Sequence, residues 1–72
     1  MRFNFTPMFV EVRCLAPSAR EFSTCDTSYR VEKENHTYVI REQVGNAFIR
    51  RGTVAAIDAY EAMGFYLYTN RS

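Results

Sequence analysis

The chain has 72 residues, of which 47% are hydrophobic, 15% aromatic and 24% charged. This length leaves room for one small domain, residues 1–72, and excludes multidomain enzymes and large barrel or dinucleotide-binding folds. Nine basic and eight acidic residues give a net charge of +1. The chain therefore lacks both the basic excess typical of nucleic-acid-binding domains and the acidity of a DNA mimic.

The first half of the chain predicts one strand and one ambiguous segment. Residues 8–15 alternate between apolar and polar side chains, which predicts a half-buried strand. In residues 16–27, Pro17 suits the first turn of a helix, whereas the polar residues from Ser23 onwards favour a loop. We expect either a short helix near residues 17–23 or a long loop.

Residues 28–43 predict a β-hairpin whose register depends on the length of its loop. A two-residue loop would place Arg30 directly opposite Arg41, and like charges in that position are unfavourable. A four-residue loop from Lys33 to His36 avoids this contact and keeps the apolar residues on one face. We expect the four-residue loop.

The last third of the chain predicts a strand, a helix and a final strand. Gly45 and Asn46 signal a turn, after which residues 47–51 form a further strand or, alternatively, a helical turn. Thr53 is the expected N-cap of the main helix, residues 53–63, and Gly64 is its expected end. Residues 65–69 then predict a strand.

The predicted fold class is therefore α+β. We expect a small, mostly antiparallel sheet of four to five strands, packed by one main helix over residues 53–63, with a short helix near residues 17–23 as the alternative to a loop there.

No set of residues in the sequence predicts catalysis, a metal site or a cofactor site. His36 is the only histidine and falls at an exposed hairpin tip, which suits a general base poorly. Cys14 and Cys25 lack the spacing of zinc ligands, and two cysteines are too few for a disulfide-stabilised secreted scaffold. We expect free thiols, no enzymatic activity, no metal and no cofactor. Without a signal peptide or a long apolar run, we also expect a cytoplasmic location and no membrane contact.

The aromatic content favours a protein partner. Five tyrosines and six phenylalanines exceed what one helix on a small sheet readily covers. Tyrosine and arginine are also enriched at interface hot spots. We therefore expect a non-enzymatic protein–protein binding module, a small accessory or inhibitor protein that docks on a larger partner. Its size is typical of phage and mobile-element accessory proteins. A homodimer through an uncovered edge strand, residues 8–15 or 65–69, is the other form of this expectation.

The predicted binding residues fall into two groups. The first group combines tyrosines of the final strand with nearby arginines: Tyr66, Tyr68, Arg50, Arg51 and Arg71. The second group is Phe9 and Arg13. The alternative function is single-stranded nucleic-acid binding through the first group, since aromatic residues on a sheet flanked by arginine can stack bases. Acidic residues on the same predicted strands argue against a phosphate-binding sheet.

Overall fold

In the part of the chain that the structure describes, five strands, connected in chain order, form one antiparallel sheet, and one helix that follows them packs against it. The computed structural model describes residues 9–69. The strands are β1 (Glu11–Ala16), β2 (Ala19–Ser23), β3 (Ser28–Glu34), β4 (Thr37–Val44) and β5 (Ala47–Ala55), and the helix is α1 (Ala59–Thr69). The predicted α+β class, with an antiparallel sheet and one main helix, is confirmed.

Two-residue loops set the register of the central strands. Glu34 pairs with Thr37 across the β3–β4 loop, so this loop has two residues and the four-residue prediction is wrong. Its first residue, Asn35, has a φ of 59°, and asparagine tolerates this left-handed conformation. Gly45 opens the β4–β5 loop with a φ of 64° in the same way. Both loops have the positive φ at the first position that narrow hairpin turns require.

The observed register places Arg30 directly opposite Arg41, the contact that the sequence argument sought to avoid. Each arginine has an acidic partner on a neighbouring strand. Arg30 Nε lies 3.3 Å from Glu21 Oε1, and Arg41 Nε lies 3.6 Å from Glu32 Oε1. Carboxylates on β2 and β3 therefore balance the two like charges. An argument from the two strands of the hairpin alone leaves out the carboxylate on β2.

Residues 17–23 form neither a helix nor a long loop. Ala19–Ser23 is strand β2, which pairs with β1 on one side and with β3 on the other. Phe22 is fully buried on this strand. Instead of the expected long loop, a short turn follows β2, and in it Thr24 N–H donates to the carbonyl oxygen of Thr27 at 2.8 Å. Pairing on both edges outweighs the weak local preference for a helix.

The helix begins and ends later than the sequence argument places it. Thr53 and its neighbours belong to β5, and residues 65–69 are helical rather than a strand. Asp58, not Thr53, caps the helix, because its Oδ1 accepts the Glu61 N–H at 2.8 Å. Glu61 Oε1 in turn accepts the Ile57 N–H at 2.9 Å, so the two side chains form a reciprocal cap. Gly64 lies inside α1 instead of ending it.

A stripe of side chains on α1 explains why the helix continues past Gly64. Its members follow helical spacing of three and four residues: Ala59, Ala62, Met63, Tyr66 and Leu67. They pack on Phe22, Val31 and Ile40 of the central strands. This packing offsets the roughly 1 kcal/mol that a glycine costs in a helix interior.

The sheet consequently has two different faces. The helix face carries Phe22, Val31 and Ile40 beneath α1. Among the described elements, none packs on the opposite face, which we call the open face. Val39 is nevertheless buried there, at a register position between Glu32 and Thr53. This arrangement is typical of an antiparallel sheet with one face on the core and one towards solvent.

The position of the cap gives a stability test. Asp58→Ala should lower the free energy of unfolding by about 1 kcal/mol, because the first turn of α1 loses an acceptor. Thr53→Ala, at the position that the sequence favours as the cap, should change it by less than about 0.5 kcal/mol. Urea unfolding of both variants measures the difference. A larger loss for Thr53→Ala would contradict the observed helix start.

Candidate functional site

Helix α1 carries exposed apolar side chains outside its buried stripe, and Ile57, just before the capping residue Asp58, adds another. Ile57 is 81% exposed, Tyr60 53%, Phe65 43% and Tyr68 54%. We call these four residues the outer helix surface. The capping box at Asp58 and Glu61 fixes where the helix starts, and the buried stripe fixes its rotation, so both features together place these side chains outwards.

The composition of the outer helix surface is unusual for a helix on a sheet. A helix with one buried stripe normally presents charged or polar residues on its other side. Here, within Ala59–Thr69, the only charged residue is Glu61, and its carboxylate is engaged in the cap. The helix is thus apolar on both sides, which is a pattern typical of a helix that is covered on both sides.

Tyr60 connects this surface to the core. Its ring meets Phe22 edge-on, with 5.2 Å between ring centres and an interplanar angle of 87°. The Arg20 guanidinium carbon lies 5.7 Å from the centre of the same ring. Contacts of both kinds restrain the Tyr60 ring.

A pair of tyrosines lies at the junction between α1 and the sheet. The rings of Tyr29 and Tyr66 are 6.1 Å apart at an angle of 63°. Burial raises the pKa of both phenols above the ordinary value, and the negative charge of Glu42 raises both pKa values further. Arg51 Nε donates to Glu42 Oε1 at 3.1 Å and partly opposes this effect at Tyr66. The junction therefore favours the neutral form of both phenols.

The open face carries a row of arginines. Strand register aligns Arg13, Glu21, Arg30, Arg41 and Arg50 across all five strands, and we call these residues the arginine row. Two of its four arginines have an ion-pair partner on the same face, Arg30 with Glu21 and Arg41 with Glu32. Such exposed pairs contribute at most about 1 kcal/mol each, and they are typical of a solvated sheet surface.

One aromatic side chain lies on the open face among the residues described. Phe48 sits beneath Arg30, whose guanidinium carbon is 4.0 Å from the ring centre. Together with Leu15 and two alanines, these side chains line a shallow depression of about 240 Å³. A single ring already stacked by arginine offers little area for the stacking of successive bases.

The first group of predicted binding residues is divided by the fold. Tyr66 and Tyr68 lie on α1 and not on a strand; Tyr68 belongs to the outer helix surface, and Tyr66 packs against Tyr29. Arg50 lies on the open face, where it donates to Thr53 Oγ1 at 3.0 Å, and Arg51 lies beside Glu42 near Tyr66. Arg71 falls outside the described residues. The expected joint surface of tyrosines and arginines is therefore not formed by Arg50 and Tyr68.

The second group is also separated. Phe9 packs against Phe22 with 5.1 Å between ring centres, and so contributes to the core. Arg13 is exposed at the β1 end of the arginine row.

Several residues of these surfaces were missed by the sequence argument. Ile57 and Tyr60 fall within the expected helix, residues 53–63, but were not assigned to a binding surface. Phe65 was expected in a strand, because the assumed stop at Gly64 hides the helical spacing that continues to Tyr68. Arg30 and Arg41 were considered only as a reason against the correct register.

The polar residues considered for chemistry are far apart. Cys25 lies in the β2–β3 turn and His36 in the β3–β4 turn, at opposite ends of the seven-residue strand β3, which spans roughly 20 Å. Cys14 and Cys25 are free and exposed, as expected. Residues 9–69 contain no cluster of three or more potential metal ligands. No helix in this part of the chain is long and apolar enough to cross a membrane.

Comparison of the chain with protein-family models, with curated proteins and with solved structures returned no match in any of the three.

The tyrosine pair predicts a loss of stability at high pH. Because the folded state raises both pKa values, it binds the phenolic protons more tightly than the unfolded chain does. This contribution is complete below about pH 10, the unfolded value, and is lost as the pH rises through the folded values. Urea unfolding between neutral and alkaline pH should show the decline, and Tyr66→Phe should reduce it. Tyr60→Phe, which removes a hydroxyl from the same helix away from Glu42, is the control.

Glu42 provides a more specific test of the same junction. Glu42→Gln should lower the pKa of Tyr29 and of Tyr66, because it removes a negative charge that raises both and leaves Arg51 without its ion-pair partner. Spectrophotometric titration of the phenolates, with Phe substitutions to identify each tyrosine, measures the change. Unchanged titration curves would contradict the arrangement of these four residues.

Proposed function

We propose that this chain is a non-enzymatic protein-binding module that docks on a larger protein through the outer helix surface. The observation that carries the proposal is that α1 exposes Tyr60, Phe65 and Tyr68 although its opposite stripe already fills the core. Aromatic residues of this kind provide most of the binding free energy at protein interfaces.

The shape of the surface supports a particular kind of partner. The exposed side chains are spread along one short helix that packs on the sheet, and they form an apolar ridge on it. A ridge of this kind fits an apolar groove. Within the described helix, Ala59–Thr69, Glu61 is the only charged residue, and its carboxylate is held by the helix cap. We therefore expect a partner groove that is lined mainly by aliphatic or aromatic side chains, with polar residues at its rim.

The ordering of Tyr60 supports binding without a large conformational change. Its contacts with Phe22 and Arg20 fix the ring in the free protein, so that less side-chain entropy is lost on association. The same reasoning favours a role as a docking or inhibitory subunit over that of a flexible adaptor.

Photo-cross-linking in the native host tests the surface directly. A photo-reactive residue in place of Phe65 should capture a partner protein, whereas the same residue in place of Leu15 should capture no protein other than a second copy of this chain. Leu15 is matched to Phe65 because it is 40% exposed but lines the depression on the open face.

The captured protein then allows a quantitative measurement. With purified partner, Ile57→Ser and Phe65→Ser should each raise Kd about tenfold or more, equivalent to about 1.4 kcal/mol, whereas Leu15→Ser should not. Thermal unfolding of the variants confirms that the fold is retained. Equal affinity of all three variants would show that the outer helix surface is not the docking site.

The nucleic-acid alternative is separated by titration with labelled single-stranded oligonucleotides at two salt concentrations. Tight binding that weakens steeply with salt and is lost in Arg41→Ala would show that the open face binds nucleic acid. The proposal expects no such binding at micromolar protein.

A further inference from the structure

Strand β1 is the less protected edge of the described sheet. All six of its residues are exposed, and neighbouring Val10 is 70% exposed, Val12 37% and Leu15 40%. Both edges carry charged residues and a register shift, which lies between Cys14 and Ala16 on β1 and opposite Ile40 and Arg41 on β5. The charges on β5, Arg50 and Arg51, have the same sign and repel a second copy of this edge, whereas Glu11 and Arg13 on β1 have opposite signs and can pair. A partner strand is therefore better accommodated at β1.

Hydrogen-bond alternation shows which groups of β1 remain available for pairing. Lys33 N–H donates to Ser18 O at 2.8 Å, so even-numbered residues of β2 point their backbone groups towards β3. Odd-numbered residues of β2, such as Glu21, consequently bond to Arg13 of β1. The alternation is interrupted just before β1, where Val10 N–H donates inwards to Ser23 O at 2.8 Å. Within the register from Glu11 to Cys14, it leaves the backbone N–H and C=O of Val12 pointing outwards from the edge.

We propose that β1 pairs antiparallel with β1 of a second copy of this chain, about a two-fold axis that passes through Val12. The two Val12 residues then exchange their outward hydrogen bonds. On the open face, Glu11 of each copy lies directly opposite Arg13 of the other, which forms two symmetric ion pairs. Opposite charges in directly opposed positions stabilise strand pairing.

The charges on β1 select this register over its neighbours. Residues that oppose each other must share a face, so the axis passes through a residue and not between two residues. An axis at Glu11 would oppose the two Glu11 carboxylates, and an axis at Arg13 would oppose the two Arg13 guanidiniums. An axis at Cys14 would place Arg13 opposite Leu15. Only the axis at Val12 pairs each charge on β1 with its opposite.

The resulting dimer has a continuous ten-stranded sheet. A two-fold axis perpendicular to the sheet keeps each face on its own side, so both α1 helices lie on one side and both arginine rows on the other. Helix α1 packs mainly on β3, β4 and β5 and reaches β2 through the contact of Tyr60 with Phe22, so that most of the helix lies away from the β1 edge. This dimer is independent of the outer helix surface, since its contacts come from β1 alone.

Disulfide trapping tests the register. In a Cys14→Ser/Cys25→Ser background, Val12→Cys should form a covalent dimer under mild oxidation. Directly opposed, hydrogen-bonded residues have Cα atoms about 5.5 Å apart, which is within disulfide range. Val10→Cys in the same background is the matched control, because the two-fold axis places the two copies of residue 10 four positions apart, roughly 13 Å along the strand.

Charge reversal tests the ion pairs without cysteine chemistry. Glu11→Arg and Arg13→Glu should each raise the dimer Kd about tenfold or more, because each change creates two like-charge contacts. The double variant Glu11→Arg/Arg13→Glu restores opposite charges and should recover most of the affinity. Analytical ultracentrifugation over a range of concentrations measures Kd, and circular dichroism confirms that each variant is folded.

The outcomes decide the proposal in both directions. Efficient trapping at Val12 but not at Val10, together with rescue by the double reversal, supports it. Three results would overturn it: a monomer at all accessible concentrations, equal trapping at both positions, or a dimer Kd that neither single charge reversal changes. Failure of the photo-reactive residue at position 65 to capture a partner would leave this dimer unaffected, so the two proposals fail separately.

Discussion

The pairing of Val31 with Ile40 at the centre of the sheet is the constraint on which the rest of the structure depends. Side chains alternate between faces along a strand, so a slip of one residue would exchange the two faces completely. The observed register puts Val31 and Ile40 under the helix, where both are fully buried. It simultaneously places Arg30 beside Arg41 on the other face. The apolar core and the arginine row are thus two results of one pairing.

The cost of opposing two arginines is met by neighbouring strands. Glu21 on β2 and Glu32 on β3 provide carboxylates for Arg30 and Arg41. Burial of two β-branched side chains contributes several kcal/mol, whereas an exposed like-charge contact costs a few tenths. Burial of Val31 and Ile40 therefore decides the register. The side chains of Arg30 and Arg41 then rotate towards their acidic partners, which reduces the repulsion between them.

The small core explains why so much apolar surface remains outside. One eleven-residue helix covers only part of a five-stranded sheet, and its buried stripe uses small residues such as Ala59 and Ala62. Phe22 and Tyr38 are buried, whereas Phe65 and Tyr68 remain exposed on the far side of the helix. Exposed aromatic rings on a chain of this size are more readily explained by a partner than by the stability of the monomer. Within the described sheet, the exposed β1 edge is the second surface for which we propose a contact.

The sequence by itself determined the α+β class, the hairpin around Asn35, the turn at Gly45 and the excess of aromatic residues. These features rest on local alternation and on turn residues, which act over a few positions. It could not determine β2, since Ala19–Ser23 has little strand preference of its own and gains its stability from β1 and β3. It also could not place the end of the helix. Gly64 predicts a stop locally, but Met63, Tyr66 and Leu67 gain more from packing on Val31 and Ile40 than the glycine costs. Only the tertiary structure decided that Tyr66 packs against the core and that Tyr68 stays exposed. The reason is that burial against distant parts of the chain outweighs local propensity where the two conflict.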